Sequence, residues 1–324
     1  MLSREIIFRV NTVDSGFIPH TSIKSAINGI EKSILISEGS EEPVNVLLTG
    51  HAGTGKTTAC NAVVSKHKRS FEVRNNCEVT IIPAFYSLIP SPVTTKGVAS
   101  ALLRSLGDSN PTRGTSLELT YRLEELLRRC ETKVIILDEL QHLLKHDSYG
   151  NNHNVKDWLK SIINEFKVPI VIVGTPECID IINTDSQLAR RFTNRFNLNN
   201  LEFGNERKGD FRKFVEQLAL TFTHELKLQS VPDFKNRQNS LIIYAATGGN
   251  PADTTRLFKT AALNALEEKK EMLELIDFEL AYSELVLPNS LSLGSVKKRI
   301  NPFILNPEEL DTVVINSIKA GNSG

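Results

Sequence analysis

The chain has 324 residues, 40% of them hydrophobic and 23% charged, and its 38 basic and 38 acidic side chains give a formal net charge of zero. That length supports a sizeable core and two domains, and the neutral balance excludes nucleic-acid binding through global charge, leaving a local basic patch or one built by assembling subunits. No apolar stretch approaches the roughly 20 residues of a membrane span, and Met1 to Val10 lacks the apolar core of a secretion signal, so the expectation is a cytoplasmic protein with no membrane partner. Cys60, Cys77, Cys130 and Cys178 are widely spaced and read as reduced thiols rather than a disulfide or zinc framework.

Residues 1–44 read as an N-terminal segment with a helix from Thr21 to Ile36, whose Ile23, Ile27, Ile30 and Ile34 form one apolar stripe. Ahead of it stand Phe17, Ile18 and His20, candidates for the wall of an adenine pocket, or for simple packing of the N-terminal helix. An apolar strand from Val44 to Leu48 then feeds Gly50-His51-Ala52-Gly53-Thr54-Gly55-Lys56-Thr57-Thr58, which carries glycine, four variable residues, glycine, lysine and a hydroxyl residue at phosphate-loop spacing. Lys56 to Lys66 reads as the helix that follows. Strand, glycine-rich turn and helix aim backbone N–H groups and the positive end of a helix dipole at one point, where ATP phosphates bind. Lys56 is expected to reach the β- and γ-phosphates, and Thr57 to hold Mg²⁺.

A second strand is expected over Glu78–Phe85, followed by amphipathic helices over Thr95–Leu106 and Ser116–Cys130, the latter capped by Thr115 or Ser116. The third strand, Lys133–Leu137, ends in Asp138-Glu139. Two carboxylates at such an edge supply a ligand for Mg²⁺, Asp138, and a group that orients and polarises the attacking water, Glu139. The helix expected from Leu140 to Leu144 places His142 and His146 four apart, with His153 beyond, and these read as a polar face rather than a metal site. A fourth strand, Pro169–Val173, ends in Gly174-Thr175, where Thr175 either senses the γ-phosphate or serves turn chemistry. Arg190, Arg191 and Arg195 crowd the end of a helix before a last strand, Phe196–Phe203, closing an α/β core over 45–203. Residues 204–287 read as four helices without strands, a lid whose Arg256 is placed to return to the nucleotide, and 288–324 as a mobile tail that orders on a partner.

The succession of Gly50–Thr57, Val134–Leu144, Pro169–Glu177 and Gln187–Phe192 closely resembles the TnsC/TniB transposition regulators, which are AAA+ ATPases. The resemblance covers about Phe17 to Leu285, and the compact length is similar to the TnsC of CRISPR-associated transposons. It implies an α/β fold, a P-loop NTPase with a parallel sheet flanked by helices and a small all-helical lid. It further implies that ATP-bound subunits form a ring or helical filament on duplex DNA without reading sequence. Such an assembly connects a target selector of TniQ type, in some systems with a CRISPR effector, to the transposase. In ring-forming ATPases an arginine at the position of Arg191, with Arg195 and Arg190 behind it, reaches a neighbour's γ-phosphate. By the same resemblance Lys96, Arg113 and Thr115 face DNA. The competing classes are a secretion ATPase of ExeA type, a clamp-loader or helicase-loader motor, and a scaffold in which ATP is structural; intact Asp138 and Glu139 argue against the last.

Overall fold

The structure, a computed structural model, describes residues 4–12, 18–91, 93–143, 151–204, 209–291 and 300–321, and gives no side-chain detail at 5, 143, 151–156 and 317–321. Two compact units make up the chain: Ser22–Leu198, and Met1–Thr21 together with Asn199–Gly324.

The first unit is a five-stranded sheet flanked by helices. Its strands are β1 (Val46–Gly50), β4 (Ala84–Leu88), β5 (Val134–Asp138), β6 (Ile170–Gly174) and β7 (Asn194–Leu198). They lie in the order β4-β5-β6-β1-β7, and every neighbouring pair is parallel. Every residue of β1, β5 and β6 is buried, as strands covered on both faces require, which explains their unbroken Val, Ile and Leu runs. On one face Val46, Leu48, Ile136 and Val173 pack with Ile23 and Ile30 of α2 (Thr21–Ser37) and with Ala59 and Val63 of α3 (Lys56–Lys66). On the other, Leu47, Ile135, Leu137 and Ile172 pack with Leu103 of α4 (Thr95–Leu106), Leu123 of α5 (Ser116–Arg129) and Ile162 of α6 (Asn151–Glu165). Register sets Leu47 and Leu137 level with Ile172, and Thr49 level with Gly174. Gly50, Asp138 and Gly174 therefore end their strands at one carboxyl edge, where ligands bind in open α/β sheets.

Three expected elements differ. The strand expected over Glu78–Phe85 is two: β3 (Cys77–Ile81), which pairs antiparallel with β2 (Ser70–Arg74), and β4, with Pro83 between them. The turn of this hairpin is Asn75-Asn76, both left-handed at φ 52° and φ 57°. Asn tolerates that geometry, and it matches the twist of the paired strands. The helix expected over Leu140–Leu144 is a short 3₁₀ turn, Leu140–Leu143, so His142 does not sit on an α-helical face; His146 lies outside the described residues and the His153 side chain is not described. The strand expected over Phe196–Phe203 is β7, and Leu201 and Phe203 instead join the core of the second unit.

The second unit is all helical: α1 (Arg4–Thr12), α9 (Asp210–Leu226), α10 (Arg237–Thr247), α11 (Pro251–Glu267), α12 (Leu275–Glu284) and α13 (Pro307–Gly321), α7 (Cys178–Asn183) and α8 (Ser186–Arg191) belonging to the first. Its centre is an aromatic group in which Phe258 meets Phe222, Phe234 and Phe278 at centroid distances of 5.5, 5.3 and 4.8 Å. The stretch expected to be a mobile tail contributes α13, whose Leu310 and Val314 are buried in this core and whose Asp311 pairs with Arg237 of α10. Asn306 and Glu309 exchange bonds between side chain and backbone at its start, which fixes the helix end locally. Lys297, Lys298 and Arg299 lie outside the described residues.

Candidate active site

The phosphate loop takes the conformation its glycines permit. Gly53 and Gly55 have φ of 79° and 97°, values that side chains resist. A Cβ on Gly50 would stand 2.3 Å from the Leu198 carbonyl and 2.7 Å from Thr54 Oγ1. Thr54 is buried and donates to the His51 carbonyl at 2.9 Å, tying the loop to itself. Gly55 starts α3 and no described side chain caps it, so the first-turn N–H groups at Lys56, Thr57 and Thr58 are left facing outward. The Lys56 ammonium donates to the carbonyls of Gly50 (2.7 Å) and His51 (2.9 Å), and burial holds its pKa below the usual lysine value against the pull of Asp138 and Glu139. Uncapped N–H groups and a partly desolvated cation fit a polyphosphate, which would meet both.

Asp138 is 1% exposed at the end of β5. Its Oδ2 accepts from Thr57 Oγ1 and from the Tyr86 hydroxyl, both at 2.9 Å, and its Oδ1 accepts from the Glu139 N–H at 2.8 Å. A hydroxyl and a carboxylate in contact are the oxygen donors that suit Mg²⁺, which would be held by Thr57 and Asp138. Tyr86, on β4, is an addition no linear motif announces; burial, then Asp138, push its pKa well above the ordinary tyrosine value. Glu139 follows at φ 68°. This left-handed conformation is rare for a non-glycine residue, and the carboxylate it carries is half exposed. Gln141 Nε2 donates to Glu139 Oε2, and the Thr175 N–H donates to Gln141 Oε1 at 3.3 Å. Lys56, Thr57, Asp138, Glu139 and Thr175 are thus brought together as expected. The Thr175 side chain also acts on neighbouring Glu177, helping to hold its carboxyl below the usual range.

The remaining candidates divide. Arg191 bonds Asn164 Oδ1 at 3.2 Å and lies 3.7 Å from Glu42, and Arg195 bonds the Phe192 carbonyl and Asn183 Oδ1, each at 2.8 Å. Arg190 is exposed beside Lys160, Asn164 and Gln187 and has no hydrogen-bond or ion-pair partner among the described residues. Thr115 caps α5, accepting from the Glu118 N–H at 3.3 Å and donating to its carboxylate, so its hydroxyl is already used. The Glu118 carboxyl is held below its usual range first by those Thr115 bonds and then by Arg122 and Lys96, which puts Lys96 near the same helix end. Lys96 and Arg113 are both exposed. In the helical unit, Ile18 packs partly buried on the core, His20 is buried with Nδ1 unpartnered among the described residues, and exposed Arg256 lies 3.7 Å from Asp253; Phe17 lies outside the described residues.

No described helix is long and apolar enough to cross a membrane. Comparison with curated proteins finds no match. Among solved structures the chain is similar to Aeropyrum pernix ORC1 in complex with DNA (TM-score 0.56, 19% identity, 83% of this chain and 66% of that one). It is likewise similar to Aeropyrum pernix ORC2 in its ADPNP–ADP complexes (0.61, 14%, 85% and 71%) and to Cdc6p from Pyrobaculum aerophilum (0.55, 16%, 84% and 69%). The chain spans about two thirds of the length of ORC1, and at these identities the likeness shows the fold, that of the AAA+ P-loop ATPases. The family described as bacterial TniB protein matches residues 9–201, which takes in the whole phosphate-loop and carboxylate site. The chain therefore belongs to the TniB family of AAA+ transposition regulators.

Proposed function

We propose that this chain is an ATP-hydrolysing switch of DNA transposition. ATP-bound subunits assemble as a ring or helical filament on duplex target DNA and connect a target selector of TniQ type, with or without a CRISPR effector, to the transposase; hydrolysis takes the assembly apart. The observation that carries this reading is the meeting of Lys56, Thr57, Asp138, Glu139 and Thr175 at one sheet edge in a chain of the TniB family.

Within that site Lys56 exchanges its bonds to the Gly50 and His51 carbonyls for the β- and γ-phosphates, while the N–H groups from His51 to Thr58 surround them. Mg²⁺, when bound, neutralises phosphate charge. Glu139 takes the proton of the attacking water, a role suited to a half-exposed carboxylate. Thr175 reports the γ-phosphate to β6. The trans-acting arginine is Arg191, with Arg195 and Arg190 behind it; the contacts of Arg191 with Asn164 and Glu42 are at the surface, where a neighbour's phosphate can replace them. Lys96 and Arg113, repeated along the assembly, follow the DNA backbone, which reconciles a neutral chain with duplex binding.

The test is a pair of substitutions. Lys56→Ala abolishes ATP binding, whereas Glu139→Gln retains binding, stops turnover and traps the assembled state. Normal hydrolysis by Glu139→Gln contradicts the assignment of the base.

A further inference from the structure

Glu139 leaves its strand in a left-handed backbone conformation, so the position of its carboxylate is not inherited from the sheet and something must fix it. The nearest hydrogen-bonding group is the Gln141 amide, whose Nε2 donates to Glu139 Oε2. Its orientation is not ambiguous. The Thr175 backbone N–H can only donate, and it lies 3.3 Å from Gln141 Oε1, so the amide oxygen faces β6 and the NH₂ faces Glu139. Room for this amide comes from Gly174: a Cβ there would stand 3.1 Å from Gln141 Oε1, 3.3 Å from Leu140 Cβ and 2.5 Å from Cys178 Sγ. The 3₁₀ turn that holds Gln141 is anchored in turn, since Leu140 is fully buried and His142 Nδ1 donates to the Ile89 carbonyl at 2.8 Å. His142 Nε2 stands 3.8 Å from Glu139 Oε2. That is too far to replace the amide bond.

We propose that Gln141 is the positioning residue of Glu139, a bracket that holds the water-activating carboxylate at a fixed distance from the tip of β6 and so couples it to the strand that carries Thr175. This rests on Glu139 acting as the base of ATP hydrolysis. Thr175 touches the relay through its backbone N–H rather than its hydroxyl. A shift of the β6 tip on nucleotide binding therefore moves the carboxylate through one amide, without any charged intermediary.

Hydrolysis by the full-length protein is measured with ATP and Mg²⁺ for the wild type, Glu139→Gln, Gln141→Leu, Gln141→Glu and the double variant Glu139→Gln/Gln141→Leu. Binding of a fluorescent non-hydrolysable ATP analogue and thermal unfolding are followed alongside. Gln141→Leu keeps the side-chain volume and loses both hydrogen bonds; a carboxylate left to wander by an ångström loses about 10- to 100-fold in turnover. Gln141→Glu loses the donor and sets one carboxylate against another, with an equal or larger loss. Both variants bind the analogue and melt as the wild type does, which a general structural role would not allow. In the Glu139→Gln background Gln141→Leu has no further effect, because the group it positions is gone. If Glu139→Gln stops turnover but Gln141→Leu and Gln141→Glu hydrolyse ATP as the wild type does or faster, the bracket is overturned and the base assignment stands. If Glu139→Gln hydrolyses normally, the base assignment fails and the bracket fails with it.

Discussion

Leu310 offers a quantitative test of where the C-terminal stretch belongs. It is fully buried in the core of the helical unit, on the same face of α13 as Val314, which is 3% exposed. Replacing it with alanine removes a side chain whose burial is worth about 1.5–3 kcal/mol and adds the cost of a cavity among Phe and Leu side chains, for a total of about 2–5 kcal/mol. Ile315, next on the helix but 48% exposed, is the control. Ile315→Ala costs less than about 0.5 kcal/mol. Arg237→Ala, which removes the exposed ion pair to Asp311, costs at most about 1 kcal/mol. Because the two compact units need not unfold together, amide hydrogen exchange read separately over α10, α11 and α13 is the appropriate assay, with thermal unfolding beside it. Leu310→Ala lowers protection in all three helices by the full amount, and the melting temperature of this unit by about 2–4 °C for each kcal/mol. A Leu310→Ala protein with wild-type exchange in α10 and α11 would refute the packing of α13 on that core.

Three further outcomes follow from the site. Tyr86→Phe removes one of the two hydroxyls that orient Asp138 Oδ2, and raises the Mg²⁺ concentration needed for half-maximal hydrolysis by about 10-fold, with folding unchanged; an unaltered Mg²⁺ requirement removes Tyr86 from the metal site. Arg191→Ala abolishes the assembly-dependent part of hydrolysis and leaves ATP binding intact; full retention moves the trans role to Arg195 or Arg190. Lys96→Ala with Arg113→Ala weakens duplex binding and flattens the dependence of log affinity on log salt by up to about 2, roughly one for each phosphate no longer neutralised; unchanged affinity and slope clear these two residues of a role on DNA.

Much of the site was legible because its chemistry is contiguous in the chain. Gly50 to Thr58 and Asp138-Glu139 are each carried by a single turn following a buried strand, so spacing and apolar runs locate them and α3 begins and ends as the sequence predicts. A hydroxyl cap at Thr115 or Ser116 was legible because capping is a local device; the structure gives it to Thr115, in a capping box with Glu118. Contacts made across strands were not. Tyr86 meets Asp138, and Gln141 bridges Glu139 to Thr175, only through the order and register of β4, β5 and β6, and neither residue type advertises that role. The β2–β3 hairpin carried its signals, the polar–apolar alternation of Ser70-Phe71-Glu72-Val73-Arg74 and the turn pair Asn75-Asn76, but every residue of β2 is exposed, so no core contact ties the hairpin to the sheet pattern. The signal for α13 was also present: Asn306, Pro307, Glu308 and Glu309 open a helix, and Leu310, Val313 and Val314 line its buried face. A short apolar stripe after a long polar stretch reads as a tail until the core that receives it is known.

The central claim, an ATP-gated platform on DNA, is tested most directly by electron microscopy of the full-length protein mixed with duplex DNA, with and without a non-hydrolysable ATP analogue. Rings or filaments on DNA that form only with the nucleotide, and that persist with ATP in the Glu139→Gln variant, are the predicted result. Nucleotide-bound monomers that ignore DNA would contradict the account, leaving an ATPase fold without the assembly that the proposed function requires.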